Sequence, residues 1–301
     1  MPYLASIIIP TLLSDEQYLA NCLLSLNRSA LGNHFSAKKF QVLVVFNTDR
    51  QQFAKAQIEL KNRLKEANIN QQLSIDYLCL EQNLGFTGAV NAGIRQAKSQ
   101  FIILLNDDTE VDKNWLQELL LKQEATGAEM VASKIYLSDQ KTLDSQGFAF
   151  AWRGKAEALN KNLKCALSNQ KDYWLNNPDL LPKTKMQEPF GPDAAAALYT
   201  KNLFDQVGLL ETDFFAYLED VDLALRARQA GMNCVLAEKA LVYHHKHATT
   251  SQQAKSFKHK QDLRNWWKIA LRRYNFRAWK KFTCLILIER GRNLKGYLKS
   301  L

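Results

Sequence analysis

The sequence predicts an α/β protein organised around a mostly parallel, twisted sheet with helices on its faces. Three observations carry that prediction. Apolar runs alternate with segments of helical spacing through the first 105 residues, the order expected of parallel strands joined by right-handed crossovers. The run Phe101 to Leu105 (FIILL) is apolar at every position, as a strand covered on both faces must be. The chain of 301 residues is 47% hydrophobic with only 12 glycines and 6 prolines, which supports a large core and argues against a long disordered or fibrous region.

Leu4 to Pro10 (LASIIIP) reads as the first strand, ended by Pro10-Thr11. Asp15 to Leu26 has helical spacing, with Leu19, Cys22, Leu23 and Leu26 on one stripe. Phe40 to Phe46 (FQVLVVF) is a second strand, and Asn47-Thr48-Asp49 has turn composition. A polar amphipathic helix, Gln51 to Ala67, leads to a third strand, Leu73 to Leu80. The stretch NLGFTGAVNAGI (83–94) has glycines at 85, 88 and 93 but matches neither the GxGxxG fingerprint nor a P-loop. Asn83 and Asn91 either offer amides to a ligand at the strand edge or belong to a turn and a close-packed helix.

The fourth strand, Phe101 to Leu105, stops at Asn106-Asp107-Asp108. One reading makes Asp108 or Thr109 the cap of a helix from Asn114 to Glu124. The other makes the two carboxylates and the amide an oxygen-rich site for Mg²⁺ or Mn²⁺ holding a diphosphate, in the crevice where open α/β sheets bind ligands.

Met130 to Leu137 is a further strand. Residues 138–185 then lose periodicity, with Trp152, Trp174, Asn176-Asn177-Pro178 and Pro182, and read as a substrate- or partner-facing segment. Ala194 to Tyr199 is strand-like and Lys201 to Val207 a short helix. A loop from Gly208 to Phe215 leads to Glu219-Asp220-Val221-Asp222, which opens a helix that Gly231 stops. Three acids there either complement the helix dipole or supply a general base. Met232 to Val242 is the last strand, and it runs into His244-His245-Lys246-His247, a metal or phosphate contact by composition.

The net charge of +10 is a property of the tail: from Lys255 onward there are 14 Lys and Arg against Asp262 and Glu289, so residues 1–254 carry 26 bases and 28 acids. Such a tail attracts phosphates. Its Phe257, Leu263, Trp266, Trp267, Ala270 and Leu271, then Trp279, Phe282, Leu285, Ile286 and Ile288, either form an interfacial amphipathic helix or pack back on the domain. With the rest near neutrality and no nucleic-acid-binding motif, the composition excludes a nucleic-acid-binding protein. Five scattered cysteines without a CxxC favour reduced thiols in the cytoplasm. The N-terminus has no signal-peptide pattern, and no apolar stretch reaches the ~18 residues of a membrane span.

IIIPT (7–11), NLGFTGAVNAG (83–93), LLNDDTEV (104–111), the run from Gly208 through FFAYLEDVDLALRARQAG (to 231) and VYHH (242–245) occur in one order that resembles glycosyltransferase family 2, in particular its rhamnosyltransferase-like members. The resemblance covers roughly residues 4–250. It implies a GT-A fold, Rossmann-like, over 1–250, with 251–301 as a basic helical C-terminal extension. It implies that Pro10 and Thr11 line the nucleotide pocket, with Asn47, Asn83, Gly85 and Asn91 as further nucleotide-sugar contacts. Asn106-Asp107-Asp108 stands for the DxD motif: Asp108 on a divalent metal, Asn106 and Asp107 near the ribose and diphosphate. His244 is the second metal ligand, His245 its fallback. Asp220 is the general base, with Glu219 and Asp222 orienting it. Where the family often carries an acid after its second strand, this chain has Phe46 followed by Asn47.

The expected activity is therefore an inverting, Mg²⁺- or Mn²⁺-dependent transfer from a nucleotide sugar such as dTDP-rhamnose to a glycan or lipid-linked acceptor. The expected setting is surface-polysaccharide synthesis at the cytoplasmic membrane face, the basic tail against anionic lipid. The alternative is a non-catalytic nucleotide-sugar or glycan-binding module.

Overall fold

In a parallel sheet covered on both faces, successive side chains must enter two different cores. The first two strands do so. On β1 (Ala5–Thr11) Ile7 and Ile9 enter one core and Ile8 the other; on β2 (Phe40–Phe46) Val42 and Val44 oppose Leu43 and Val45. The computed structural model describes residues 3–13, 15–30, 40–66, 73–151, 153–160, 188–246 and 252–301. His247, Trp152, Trp174, Asn176-Asn177-Pro178 and Pro182 lie outside them.

β3 (Leu73–Cys79), β2, β1 and β4 (Phe101–Leu105) are parallel neighbours in that order. β10 (Ala196–Thr200) is then inserted antiparallel between β4 and β6 (Met130–Leu137). β11 (Cys234–His244) runs parallel to β6, and the three-residue β5 (Thr109–Val111) closes that edge antiparallel to β11. β7 (Leu143–Ser145) also pairs with β6, and β8 (Phe148–Ala151) with β9 (Lys155–Ala158). Part of the segment read as aperiodic is thus short antiparallel strands, too brief to leave a pattern.

One face is covered by α1 (Glu16–Ala30), α2 (Arg50–Glu66) and α4 (Trp115–Thr126). The other carries α3 (Gly85–Gln96), α5 (Lys201–Val207), α6 (Glu219–Gln229), α7 (Gln252–Arg273) and α8 (Phe276–Ser300). Trp266, Ile269 and Ala270 of α7 and Ala278, Phe282 and Ile286 of α8 are buried in the same core as Ile8 and Leu104. The basic extension therefore has one face in the protein interior. Among the described residues no helix is long and apolar enough to cross a membrane.

Candidate active site

Four chain segments meet at the C-terminal edge of the parallel strands. β1 ends there at Thr11 and β4 at Leu105, while β10 starts there, its preceding Ala195 carbonyl accepting from Asn106 N at 2.8 Å. β11 ends there too, His244 standing opposite Leu137 in the register.

The helix-cap reading of the acidic pair is not realised. β5 follows directly, and α4 begins at Trp115, where Asp112 Oδ1 accepts from Asn114 N at 2.9 Å. Asp108 instead faces β11: its Oδ1 is 3.2 Å from His244 Nε2, and its carbonyl accepts from His245 N at 2.9 Å. Burial opposes ionisation of Asp108, but the hydrogen bond and charge of His244 outweigh it and hold the carboxyl below its ordinary range. Burial likewise disfavours the imidazolium, and Asp108 and Asp144 reverse this, raising His244 to about 9.

The donor set fits a divalent ion. Two cis ligands of an octahedral ion, each at about 2.1 Å, stand about 3.0 Å apart. The carboxylate oxygen and imidazole nitrogen here are separated by 3.2 Å. The carboxylate suits Mg²⁺ or Mn²⁺, and the imidazole favours a transition metal over Mg²⁺. His244 Nδ1 lies 3.5 Å from Asp144 Oδ2, the arrangement in which a carboxylate orients a metal-binding histidine. Among the described residues no three His, Cys, Asp or Glu side chains cluster as a complete cage. Asp108 and His244 are thus two candidate ligands side by side at the strand ends. His245 is placed otherwise: its ring contacts Glu110 Oε1 at 3.2 Å and lies 5.2 Å from the Tyr18 ring.

Asp107 points toward β1. Burial raises its carboxyl to about 6, a hydrogen bond from the Thr11 hydroxyl working against the shift. Asn106 turns inward: its carbonyl accepts from Thr109 N and Oγ1, and its own buried Oδ1 has no partner. Pro10 is half-buried beside Thr11.

Glu219 and Asp220 open α6. Burial pushes both carboxyls up, to about 8 and about 7. After burial, the Asp220 charge is the main influence on Glu219, and Asp193 the main one on Asp220. Asp220 is partly exposed, its Oδ1 accepting from Val221 N at 2.7 Å, whereas Glu219 is buried with Oε2 unpartnered. The charge of Asp193 also raises His244, so it acts on both the Glu219–Asp220 pair and the Asp108–His244 pair. Asp193 and Asp144 escaped the sequence reading. Neither lies in a periodic segment, and the pairing of β10 with β4 and of β7 with β6 is what brings them here.

Four expected contacts are used differently. Asp222, at about 200° from Asp220 on the helix, is fully buried between Arg226 and Arg273, 2.8 and 2.6 Å away. It fastens α6 to α7 and does not orient Asp220. Asn91 is buried, donating to Leu210 O at 2.7 Å and accepting from Leu210 N at 3.1 Å. Asn47 donates to Asn83 Oδ1 and Gly85 O and accepts from Leu84 N, so it pins the turn before α3. Gly85 has φ +73°, and a Cβ on it would stand 2.4 Å from the Phe215 carbonyl oxygen. Its lack of a side chain admits the loop before Glu219. Asn83 is exposed at the same turn.

Comparison with known proteins places this geometry in context. A family profile described as Glycosyl transferase family 2 matches residues 6–165, slightly more than half of the chain. The chain is 22% identical over 199 residues to the low-salt glycan biosynthesis hexosyltransferase Agl10 of Haloferax volcanii, which covers 64% of this chain and 58% of that protein. It spans between about a fifth and just over half of the length of the curated relatives it matches. The mannosyltransferase PcManGT from Pyrobaculum calidifontis, solved with GDP-Man and Mn²⁺, superposes with a TM-score of 0.61 at 10% identity, covering 98% of this chain and 73% of that one. S. aureus TarS 1-349 with UDP-GlcNAc gives 0.57 at 16% identity, covering 99% and 72%. At these identities the likeness establishes the fold, which is GT-A.

Proposed function

The chain belongs to glycosyltransferase family 2, and from that premise we propose that it is an inverting, metal-dependent transferase of sugar from a nucleoside-diphosphate donor to a glycan or lipid-linked hydroxyl. The observation that supports the reading is the approach of Asp108 and His244 to 3.2 Å at the strand ends, with Asp193 acting electrostatically on both His244 and Asp220; the first pair is assigned to the diphosphate and Glu219–Asp220 to the acceptor.

Asp108 and His244 would hold the divalent ion, whose charge stabilises the departing nucleoside diphosphate. Thr11 and Asp107 are placed to meet the nucleotide, since β1 and β4 end side by side. Asp220 takes the proton of the acceptor hydroxyl as that oxygen bonds to the anomeric carbon. The bond from that carbon to the diphosphate oxygen breaks on the opposite side, the electron pair leaves with the diphosphate, and the configuration inverts. Burial and the charge of Asp193 keep the Asp220 carboxyl receptive to a proton near neutral pH, with Glu219 buried beside it. The acceptor is lipid-linked or glycan, and the outer face of α8 is the surface that meets anionic lipid during surface-polysaccharide synthesis.

A thermal-shift screen of nucleotides and nucleotide sugars, dTDP-rhamnose, UDP-GlcNAc and GDP-mannose among them, with and without Mn²⁺, tests the reading. One donor class is expected to stabilise the protein, and only with metal. Stabilisation by none, or equal stabilisation in EDTA, defeats it.

A further inference from the structure

Immediately before Glu219 the backbone takes an unusual path. Phe215, Tyr217 and Leu218 all have positive φ, at 65°, 69° and 66°. For bulky residues each such conformation is strained and persists only where the surroundings impose it. What imposes it comes from α7. Asn265 is fully buried, and its Nδ2 donates to the carbonyls of Phe214 at 3.1 Å, Ala216 at 3.0 Å and Tyr217 at 2.8 Å. Three converging acceptors admit only the donor end of the amide, and its Oδ1 has no partner. Water cannot replace that donor without entering a filled core.

The rest of the α7 face repeats the pattern on the same loop. Lys268 reaches the Asp213 carbonyl, and Arg272 forms a two-pronged pair with the Asp213 carboxylate at 3.1 and 2.6 Å. Arg273 spans Glu211 and Asp222, each at 2.6 Å, so it ties the loop to α6 itself. Across the loop, Thr87 N donates to the Phe215 carbonyl at 3.2 Å, at the start of α3. Every one of these contacts bears on residues 211–222 and none on the metal pair.

We infer that α7 is part of the catalytic apparatus, with Asn265 as a positioning residue that fixes the strained 214–218 loop and through it the carboxylate of Asp220. The inference rests on the reading of Asp220 as the base. Asn265 touches neither substrate nor reacting atoms. Its effect passes through the loop, so it belongs to acceptor activation and not to donor binding. Misplacing a reacting group by about 1 Å costs on the order of a hundredfold in rate.

The test compares N265A with the unaltered full chain. The kcat is expected to fall ten- to a hundredfold while the Mn²⁺-dependent thermal shift given by the donor is kept. The acid limb of the pH–rate profile is expected to move to lower pH, because a loosened loop lets water reach Asp220. Amide exchange over residues 212–222 is expected to quicken, with the strands β1 and β4 unchanged. A kcat within twofold of the unaltered enzyme, unaltered exchange in the loop, or a donor response lost in parallel with kcat overturns the inference. If N265A does not fold, R272A at the exposed end of the same face is expected to give a smaller change of the same kind, and no change in loop exchange or pH profile overturns it equally. Failure of the base assignment reads differently: D220N then retains turnover, while the exchange arm still reports whether Asn265 holds the loop.

Discussion

The Glu219–Asp220 pair shows what a buried acid does to both rate and stability. Because burial and Asp193 raise Asp220 to about 7, its carboxyl ionises only as pH passes neutrality, and with Asp220 as the proposed base turnover is expected to rise with pH through that value. D220N should remove this limb and lower kcat by about 10²–10⁴; a pH–rate series on both proteins checks it. Glu219 is raised to about 8, so the folded state resists its ionisation. No penalty exists below the unfolded value near pH 4. It grows as pH rises and is complete above about 8. E219Q should therefore melt higher than the unaltered protein at pH 8.5 and alike at pH 4.5, each kcal/mol regained shifting Tm by about 2–4 °C. Asp144, 3.5 Å behind His244, should matter for metal and not for fold: D144N is expected to weaken Mn²⁺ in a donor-binding titration by about 10–100-fold. At this scale an acid pair ending an apolar run and a histidine ending another are local signals that sequence can show, and the fold brings Asp108 and His244 within 3.2 Å of each other. Asn47 and Asn91 bond to neighbouring backbone in the fold, and in sequence a small amide of that kind looks like one that offers itself to a ligand.

Among the elements, the long apolar strands and their crossover helices could be read from periodicity, since each strand feeds two cores and each helix one. β5 and β7, at three residues each, and the reversal at β10 could not, because pairing partners and not pattern define them. α1 runs on to Ala30 beyond the expected Leu26, as Ser25 and Ser29 turn inward to serve the backbone of Val111 and Leu116. The basic extension packs back on the domain, the second of its two readings. α8 buries one side, while Phe276, Leu287, Leu294 and Leu298 stand exposed within about 40° of one another around the helix. Arg277, Lys280, Lys281, Arg292, Lys295 and Lys299 are exposed on the same helix, and its only acid, Glu289, is buried. K280E/K281E is expected to reduce co-sedimentation with phosphatidylserine vesicles at low salt, starting from about fivefold per lost lysine at about 1 kcal/mol each. Equal binding to neutral vesicles by the unaltered protein would remove the electrostatic basis.

For the whole molecule, α7 and α8 are layers of the core. Trp266, Ile269, Phe282 and Ile286 are each 6% exposed or less, and such burial is worth roughly 6–12 kcal/mol together. That is comparable with the entire stability of an ordinary domain, about 5–15 kcal/mol. Deleting residues 251–301 should accordingly give a chain without a cooperative thermal transition, checked by calorimetry on residues 1–250. The family profile stops at residue 165, yet Asp193, Glu219, Asp220 and His244 all lie beyond it, in the turn before β10, at the start of α6 and at the end of β11.

The antiparallel β10 has one more consequence, for assembly. It is the wedge between β4 and β6, and it is made nearly a hundred residues after β4. Until Ala196–Thr200 has left the ribosome, the halves of the sheet face each other as two raw hydrophobic edges, Ile102 to Leu105 on one and Met130 to Ala132 on the other. Unpaired edges of that kind recruit strands from neighbouring chains. The hazard in making this protein thus falls on the nascent chain before β10 has been added.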